Sequence, residues 1–333
     1  MHRALMLFLL AMVSSSFASS GQYLLVDESP VRLIDGDLIA LPVESGIDIL
    51  SLPGLSPVDH IDVVWPDRQI MTMNNGKIAY IEKEGEGETL KVYDLKTKVG
   101  KTIKTAEKRF YGNVVLSDDF VGYCEGEDLW DSKLYISSVD GSEISENFFA
   151  SANRFKDSWG NLFVIRGVDF IGVYDPLEQK VIASTSLRKD NPYAVSIDGG
   201  WVVYTEAVMG DDVGRDIWLW NYLTGEERLV SKGVDGKEGI WPFSKVRVDR
   251  QDDSIVSGDT VVWFKYNNAS GKYDPAVYSY SIEKNETRLV KKGQFSPIDL
   301  EGNTLLLRGY ENETYTYLLY DLSTGRQTDV KRP

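Results

Sequence analysis

Carboxylates are the reactive side chains that this sequence gathers. Glu82-Lys83-Glu84-Gly85-Glu86-Gly87-Glu88 is one acidic run, Glu125-Gly126-Glu127-Asp128-Leu129-Trp130-Asp131 a second, and Asp211-Asp212-Val213-Gly214-Arg215-Asp216 a third. Carboxylates that converge bind Ca²⁺ through hard oxygen donors, or work as an acid–base pair on a glycosidic bond. The runs do not follow the D-x-[DN]-x-[DN]-G spacing of an EF-hand loop, and a solvated charged rim is the simpler account of them. A longer polar stretch, Val234 to Asp253, holds the apolar patch Gly239-Ile240-Trp241-Pro242-Phe243. Aromatic side chains beside carboxylates are what a sugar or peptide site uses. The plainer role for Trp241 and Phe243 is to pin that loop back onto the fold. The candidate binding residues are therefore Trp241, Phe243, Glu125, Asp128, Asp131, Asp211, Asp212 and Asp216.

Other chemistry finds little support. Nucleophilic catalysis needs Ser or Cys beside a base, commonly histidine. Beyond the N-terminal segment only His60 remains, between Asp59 and Asp62, and it reads as a half-exposed loop residue. Cys124, the single cysteine, sits in the apolar run Phe120-Val121-Gly122-Tyr123-Cys124 and reads as a buried structural thiol. The sequence contains no G-x-S-x-G, P-loop, H-E-x-x-H or C-x-x-C pattern. No catalytic residue is nominated, no cofactor is required, and Ca²⁺ is the one metal the carboxylates would suit.

Charge narrows the partners. The chain carries 51 acidic against 36 basic residues, a net charge of −15. Such a surface repels phosphates, which argues against nucleic acid, and suits cations, neutral sugars or basic proteins. The N-terminus has the three parts of a secretory signal: Arg3, the apolar run Ala4 to Val13, and Ser16-Phe17-Ala18 with small residues at the cleavage positions. Residues 1–19 are expected to be that signal and 20–333 a single exported domain, secreted or at the cell surface. No later segment is apolar enough to span a bilayer as a helix. The sequons at Asn268, Asn285 and Asn312 would be glycosylation sites in an exported glycoprotein.

The elements that must position these residues repeat. A short polar residue followed by glycine or aspartate opens an apolar run at Asp35-Gly36, Asn75-Gly76, Ser117-Asp118, Trp159-Gly160, Asp198-Gly199, Ser257-Gly258 and Glu301-Gly302. The second residues are spaced 40, 42, 42, 39, 59 and 44 apart. Each turn precedes a strand-like run such as KIAYIE from Lys77 or TVVWFKY from Thr260, then an aromatic-rich strand such as YLLYDLSTG from Tyr317, then a more polar one. Short β-branched and aromatic runs between Gly, Asn and Asp are strands and turns, and no window has helical spacing. Four-stranded units of this length are the size of a propeller blade. The expected fold is an all-β propeller of seven four-stranded blades, with six as the alternative count. Tyr23-Leu24-Leu25-Val26 is a candidate latch on the last blade.

Ser257-Gly258-Asp259-Thr260-Val261-Val262-Trp263 and Tyr320-Asp321-Leu322-Ser323-Thr324-Gly325 carry a further signal. These units resemble the propeller repeats of TolB-like and related archaeal and bacterial surface proteins. The resemblance extends over nearly the whole exported chain and implies a fold, not an activity, because such propellers host binding, scaffolding and catalytic members alike. The expectation is a monomeric binding or scaffold module that meets a protein, peptide or glycan on an acidic, loop-rich face. The alternatives are a carboxylate-dependent glycan hydrolase or lyase assisted by Ca²⁺, and a structural component of the cell envelope.

Overall fold

Seven four-stranded antiparallel sheets make up the computed structural model, one after another along the chain. It describes residues 31–330, except 107–108, 111–113, 127–132, 147–153, 168, 188–193, 208–214, 233–253, 266–274 and 312–313. The blades span 34–62, 71–105, 115–146, 154–186, 195–231, 255–292 and 295–330. In every blade the strands lie in chain order from the axis outward, so no blade borrows a strand from another part of the chain. Successive innermost strands contact one another, and the first touches the innermost strand of blade seven, which closes the ring. The protein is a seven-bladed β-propeller.

The hydrophobic pattern explains the order. Second strands are buried on both faces, as Phe120–Glu125 is throughout its length. Outermost strands are half in solvent, and Lys180–Ser186 alternates exposed and half-buried residues. Apolar side chains therefore meet between blades rather than within them. Five clusters fill single seams, such as Trp220 and Tyr222 with Val164 and Val173 between blades four and five. A sixth joins blades seven, one and two through Ile298, Leu306, Ile39, Ile49, Met73 and Ile78. Cys124 is buried among Phe155, Phe163 and Leu134.

Two kinds of tight turn lie on one face. The first joins the inner two strands, and the residue beginning it has positive φ at Gly36, Asn75, Gly160, Gly199, Gly258 and Gly302. In blade two the loop is Asn75-Gly76, between the paired residues Asn74 and Lys77. In sequence Asn75-Gly76 reads as the counterpart of Asp35-Gly36, but Asn74 is the equivalent of Asp35, because Asn74 pairs with Lys77 as Asp35 pairs with Leu38, and both residues between take the left-handed conformation. The second turn joins the outer two strands, and every blade places one left-handed residue in it: Leu55, Lys98, Gly141, Gln179, Gly225, Asn285 and Gly325. In blades two, four, five and seven a side-chain oxygen of the residue opening that turn accepts two backbone N–H groups, at Asp94, Asp175, Asn221 and Asp321. The longer connections all emerge on the opposite face.

Candidate functional site

Hairpin geometry brings the residue just before each inner turn to the ring axis at the tight-turn face. These residues are Asp35, Asn74, Ser117, Trp159, Asp198, Ser257 and Glu301. Six of them staple neighbours or face the centre. Asp35 accepts the N–H of Gly76, Asp198 that of Gly258 at 2.6 Å, and Ser257 Oγ that of Gly302 at 3.1 Å. Asn74 Nδ2 donates to Asp118 Oδ1 at 3.2 Å. Each staple crosses from one blade to the next, so the mouth is held at fixed width by side chains and not by packing alone.

Inside this mouth is a cavity of about 350 Å³. Asp35, Asp118, Asp198 and Glu301 line its rim, Trp159 forms part of the wall, and Asp157, Asp299 and Arg32 lie deeper. Trp159 is 40 % exposed, unusual for a tryptophan on an innermost strand. Arg32 is the one cation among the lining residues. It comes from the segment before blade one and crosses the axis: Nε donates to Asp157 Oδ1 of blade four at 3.0 Å, and Nη2 to the carbonyl of Ile197 in blade five at 3.1 Å.

The two deep carboxylates are heavily engaged. Asp157 also accepts the N–H groups of Ser158 and Ile197 and the hydroxyl of Ser196. Asp299 Oδ2 accepts the N–H groups of Leu33 and Ile34, each at 2.6 Å, and Oδ1 that of Leu300 at 2.8 Å. Burial nevertheless pushes Asp299 up to about 7, against the opposing pull of those donors and of Arg32. At the rim, desolvation raises Glu301, Arg32 opposes it, and the Asp198 and Asp35 carboxylates add to the rise. Asp35, Asp198 and Glu301 make no ion pair among the described residues. The cavity mouth is therefore a region of negative potential, offset by Arg32 within it and by Lys77, whose Nζ donates to the carbonyl of Asp118 at 3.1 Å.

Of the residues nominated from the sequence, the structure describes Glu125 and Asp216, and both lie at the other end of the blades. Glu125 ends the second strand of blade three and is buried. Asp216 is half-buried near the start of the third strand of blade five, across from Glu206. Asp128, Asp131, Asp211, Asp212, Trp241 and Phe243 lie outside the described residues, as do the signal segment, the candidate latch, Asn268 and Asn312. Asn285 is exposed in an outer turn, its Oδ1 accepting from Tyr280 at 2.8 Å. In the first acidic run Glu82 pairs with Lys91, Glu84 accepts from Thr89, and Glu88 accepts the N–H of Phe110. His60 lies in the outermost strand Ser56–Asp62 and not in a loop, its Nδ1 2.6 Å from Asp48 Oδ1. Among the described residues no three of His, Cys, Asp or Glu stand together as a metal site. None of their helices is long and apolar enough to cross a membrane.

Sequence reading missed the axial cavity. In sequence Asp35, Asp198 and Glu301 read only as turn formers of the repeat. Their place at the end of every innermost strand was the signal that they share one mouth. Arg32 precedes the first repeat, and nothing in its neighbourhood marks a reach of 125 residues to Asp157.

No protein-family model matches this sequence, and no curated protein does. Solved structures do. The β-propeller domain of the Trilobed protease from Pyrococcus furiosus, described with an open velcro topology, superposes with a TM-score of 0.59 at 12% identity, over 90% of this chain and 93% of that one. Pyrococcus horikoshii acylaminoacyl peptidase gives 0.58 at 14% identity, over 92% of this chain and 52% of its own. The tricorn protease gives 0.53 at 14% identity, over 94% and 35%. This chain thus spans about half of the peptidase and a third of the tricorn protease. At these identities the likeness is one of fold.

Proposed function

We propose that this chain is an exported binding module that takes a cationic group of a peptide or protein partner into the axial cavity from the tight-turn face. One observation carries the reading: four rim carboxylates, Asp35, Asp118, Asp198 and Glu301, surround a cavity whose one cationic lining residue, among the described residues, is Arg32. An ammonium or guanidinium group entering there gains charge-assisted hydrogen bonds in a partly desolvated site. Trp159 offers an aromatic face for the same charge. Leu177 and Leu223, 70% and 73% exposed on outer turns of the same face, offer apolar contacts to the rest of a partner. Export rests on the N-terminal segment, and kinship with TolB-like surface propellers rests on the repeat motifs. Contacts on the loop-rich face, the monomeric state and glycan attachment belong to the same proposal. Proteases whose propellers share this fold make a peptide partner the natural first choice.

A glycan hydrolase or lyase would need two carboxyl groups free to face a substrate. Asp157 and Asp299, the deepest pair, are spent on backbone donors and on Arg32, and at the rim Asp35, Asp118 and Asp198 accept the inter-blade staples, which leaves Glu301 alone among the lining carboxylates, so the geometry favours binding.

The test is a thermal melt with spermidine, a lysine-rich peptide, an acidic peptide, a neutral oligosaccharide and Ca²⁺. A ligand at 100 times its Kd stabilises the native state by about 2.7 kcal/mol. Spermidine and the basic peptide should raise the melting point, and E301Q with D198N should abolish the rise. A shift with the oligosaccharide or acidic peptide alone overturns the cationic reading, and a shift that survives both substitutions moves the site elsewhere.

A further inference from the structure

The axial cavity already contains one guanidinium, and it belongs to the chain itself. Arg32 is carried on the strap Val31–Ile34, which lies between blades seven and one. Leu33 and Ile34 donate to Asp299, Val31 N donates to the carbonyl of Ile298, and the carbonyl of Arg32 accepts from Met73. Val31, Leu33 and Ile34 are buried in the cluster that joins blades seven, one and two. The strap leaves the Arg32 side chain 22% exposed, with its Nε on a carboxylate and its Nη2 on a carbonyl. Nη1 makes no hydrogen bond among the described residues. Asp157, at 6% side-chain exposure, receives the guanidinium on a platform already set by Ser158, Ser196 and Ile197.

We propose that the cavity floor is a guanidinium subsite and that Arg32 is its built-in occupant, a pseudo-ligand with which a partner's basic side chain competes. This rests on the reading of the axial cavity as a cation site and adds the identity and occupancy of its deepest part. Two physical arguments support it. The subsite supplies what a guanidinium requires, a carboxylate and a carbonyl that accept from the same face of the fork. Among the described residues the strap also carries the hydrogen bonds that cross the ring axis from blade one to blades four and five, so its occupancy couples the cavity to ring closure. With Arg32 in place an incoming cation meets only the rim. With its charge removed, Asp157 faces the cavity without its partner cation, and an incoming cation is drawn to the floor.

Chemical rescue tests this. R32A should melt about 5 °C or more below the wild type, since removing one partner of a buried pair leaves the other uncompensated. Methylguanidinium at about 20 mM should restore at least half of that loss in R32A and move the wild type by less than a degree, with urea as the neutral control. Combining R32A with D157N should abolish the rescue. An equal response of R32A and wild type, or rescue that persists with D157N, overturns the proposal. R32M keeps the side-chain volume and covers the case in which R32A does not fold: spermidine should bind it about tenfold tighter than the wild type, and measurable binding to both proteins that is equal, or weaker in R32M, overturns the proposal. Spermidine that binds neither protein, with methylguanidinium still rescuing R32A, would remove the external-ligand reading and leave the guanidinium subsite standing.

Discussion

Asp157 and Asp299 occupy the same position in blades four and seven. Each lies three residues before the turn glycine, Gly160 or Gly302, at a break in strand register, and each caps the innermost strand of the following blade. Asp157 accepts from Ile197 in blade five, and Asp299 from Leu33 and Ile34 at the start of blade one. The bulge turns a side chain that would otherwise face its own sheet into the seam. One carboxylate thereby braces an internal seam, and its equivalent braces the seam that no covalent connection spans.

Replacing Asp299 should be costly even with its closest isostere. In D299N the amide oxygen can still accept from Leu33 and Ile34, but the NH₂ group then meets the N–H of Leu300. A buried donor left facing a donor costs about 1–3 kcal/mol. Urea unfolding should show that loss, and a midpoint equal to wild type would mean that the strap does not depend on this carboxylate.

Stability should depend on pH through the same residue. Asp299 stands at about 7 in the folded state against 3.8 for its ordinary value. The native state therefore binds this proton more tightly than the unfolded chain does. Its contribution is fully present below about 4 and is lost as pH rises through about 7, a loss of at most about 4 kcal/mol. The charged group acting on it is Arg32, which holds it down, so R32M should move the midpoint of the effect upward. Asp321 has the opposite sign: Ser323 and Thr324 hold it at about 2, so its contribution is present above about 4 and is lost as pH falls through 2. Melting points measured from pH 5 to pH 8 should fall in the wild type and fall less in D299N. Parallel curves would contradict the assignment.

Two glycine positions should respond very differently to alanine. At Gly46, with φ of +152°, a Cβ would lie 1.9 Å from the carbonyl oxygen of Ile61, which belongs to the paired strand and cannot yield. At Gly36, with φ of +59°, a Cβ would meet nothing within 4 Å. G36A should cost about 1 kcal/mol from the left-handed backbone alone. G46A should cost more than about 3 kcal/mol or prevent folding. Similar denaturation midpoints for the two would refute the distinction.

Trp263 offers a finer test of polar satisfaction. Its Nε1 is buried without a partner among the described residues, while its ring stacks on Tyr278 at 5.9 Å. W263F removes the unsatisfied N–H and keeps an aromatic ring, so the gain offsets part of the lost packing. The expected net cost is below about 2 kcal/mol, less than the 3–5 kcal/mol typical of truncating a buried tryptophan to alanine. A loss as large as that of W263A would indicate that the indole volume decides.

The seven blades were legible because their signals are local. A turn residue with positive φ, an alternation of apolar positions and an aromatic third strand lie within a few residues of one another. Blade two shows the limit: Asn75-Gly76 reads like Asp35-Gly36, yet the asparagine itself adopts the left-handed conformation and shifts the pairing by one residue. The axial cavity was illegible for a different reason. Its wall takes one to three residues from each blade, and its floor depends on Arg32 meeting partners 125 and 165 residues away. No periodicity in the chain encodes a meeting at the axis. The acidic runs, conspicuous in sequence, are in their described parts occupied by local partners such as Lys91 and Thr89.

The outer turns hold a reserve that the ring does not use. All seven demand a left-handed residue, but only blades three, five and seven supply glycine. Leu55, Lys98 and Gln179 meet the demand with side chains that dislike it, and Asn285 meets it at smaller cost. Relaxing the first three to glycine would return roughly 1 kcal/mol apiece, less the added freedom of the unfolded chain. The architecture therefore tolerates imperfect sequence at its periphery, where a blade touches only water. The same repeat unit admits little variation at the axis, where each blade must fit six others.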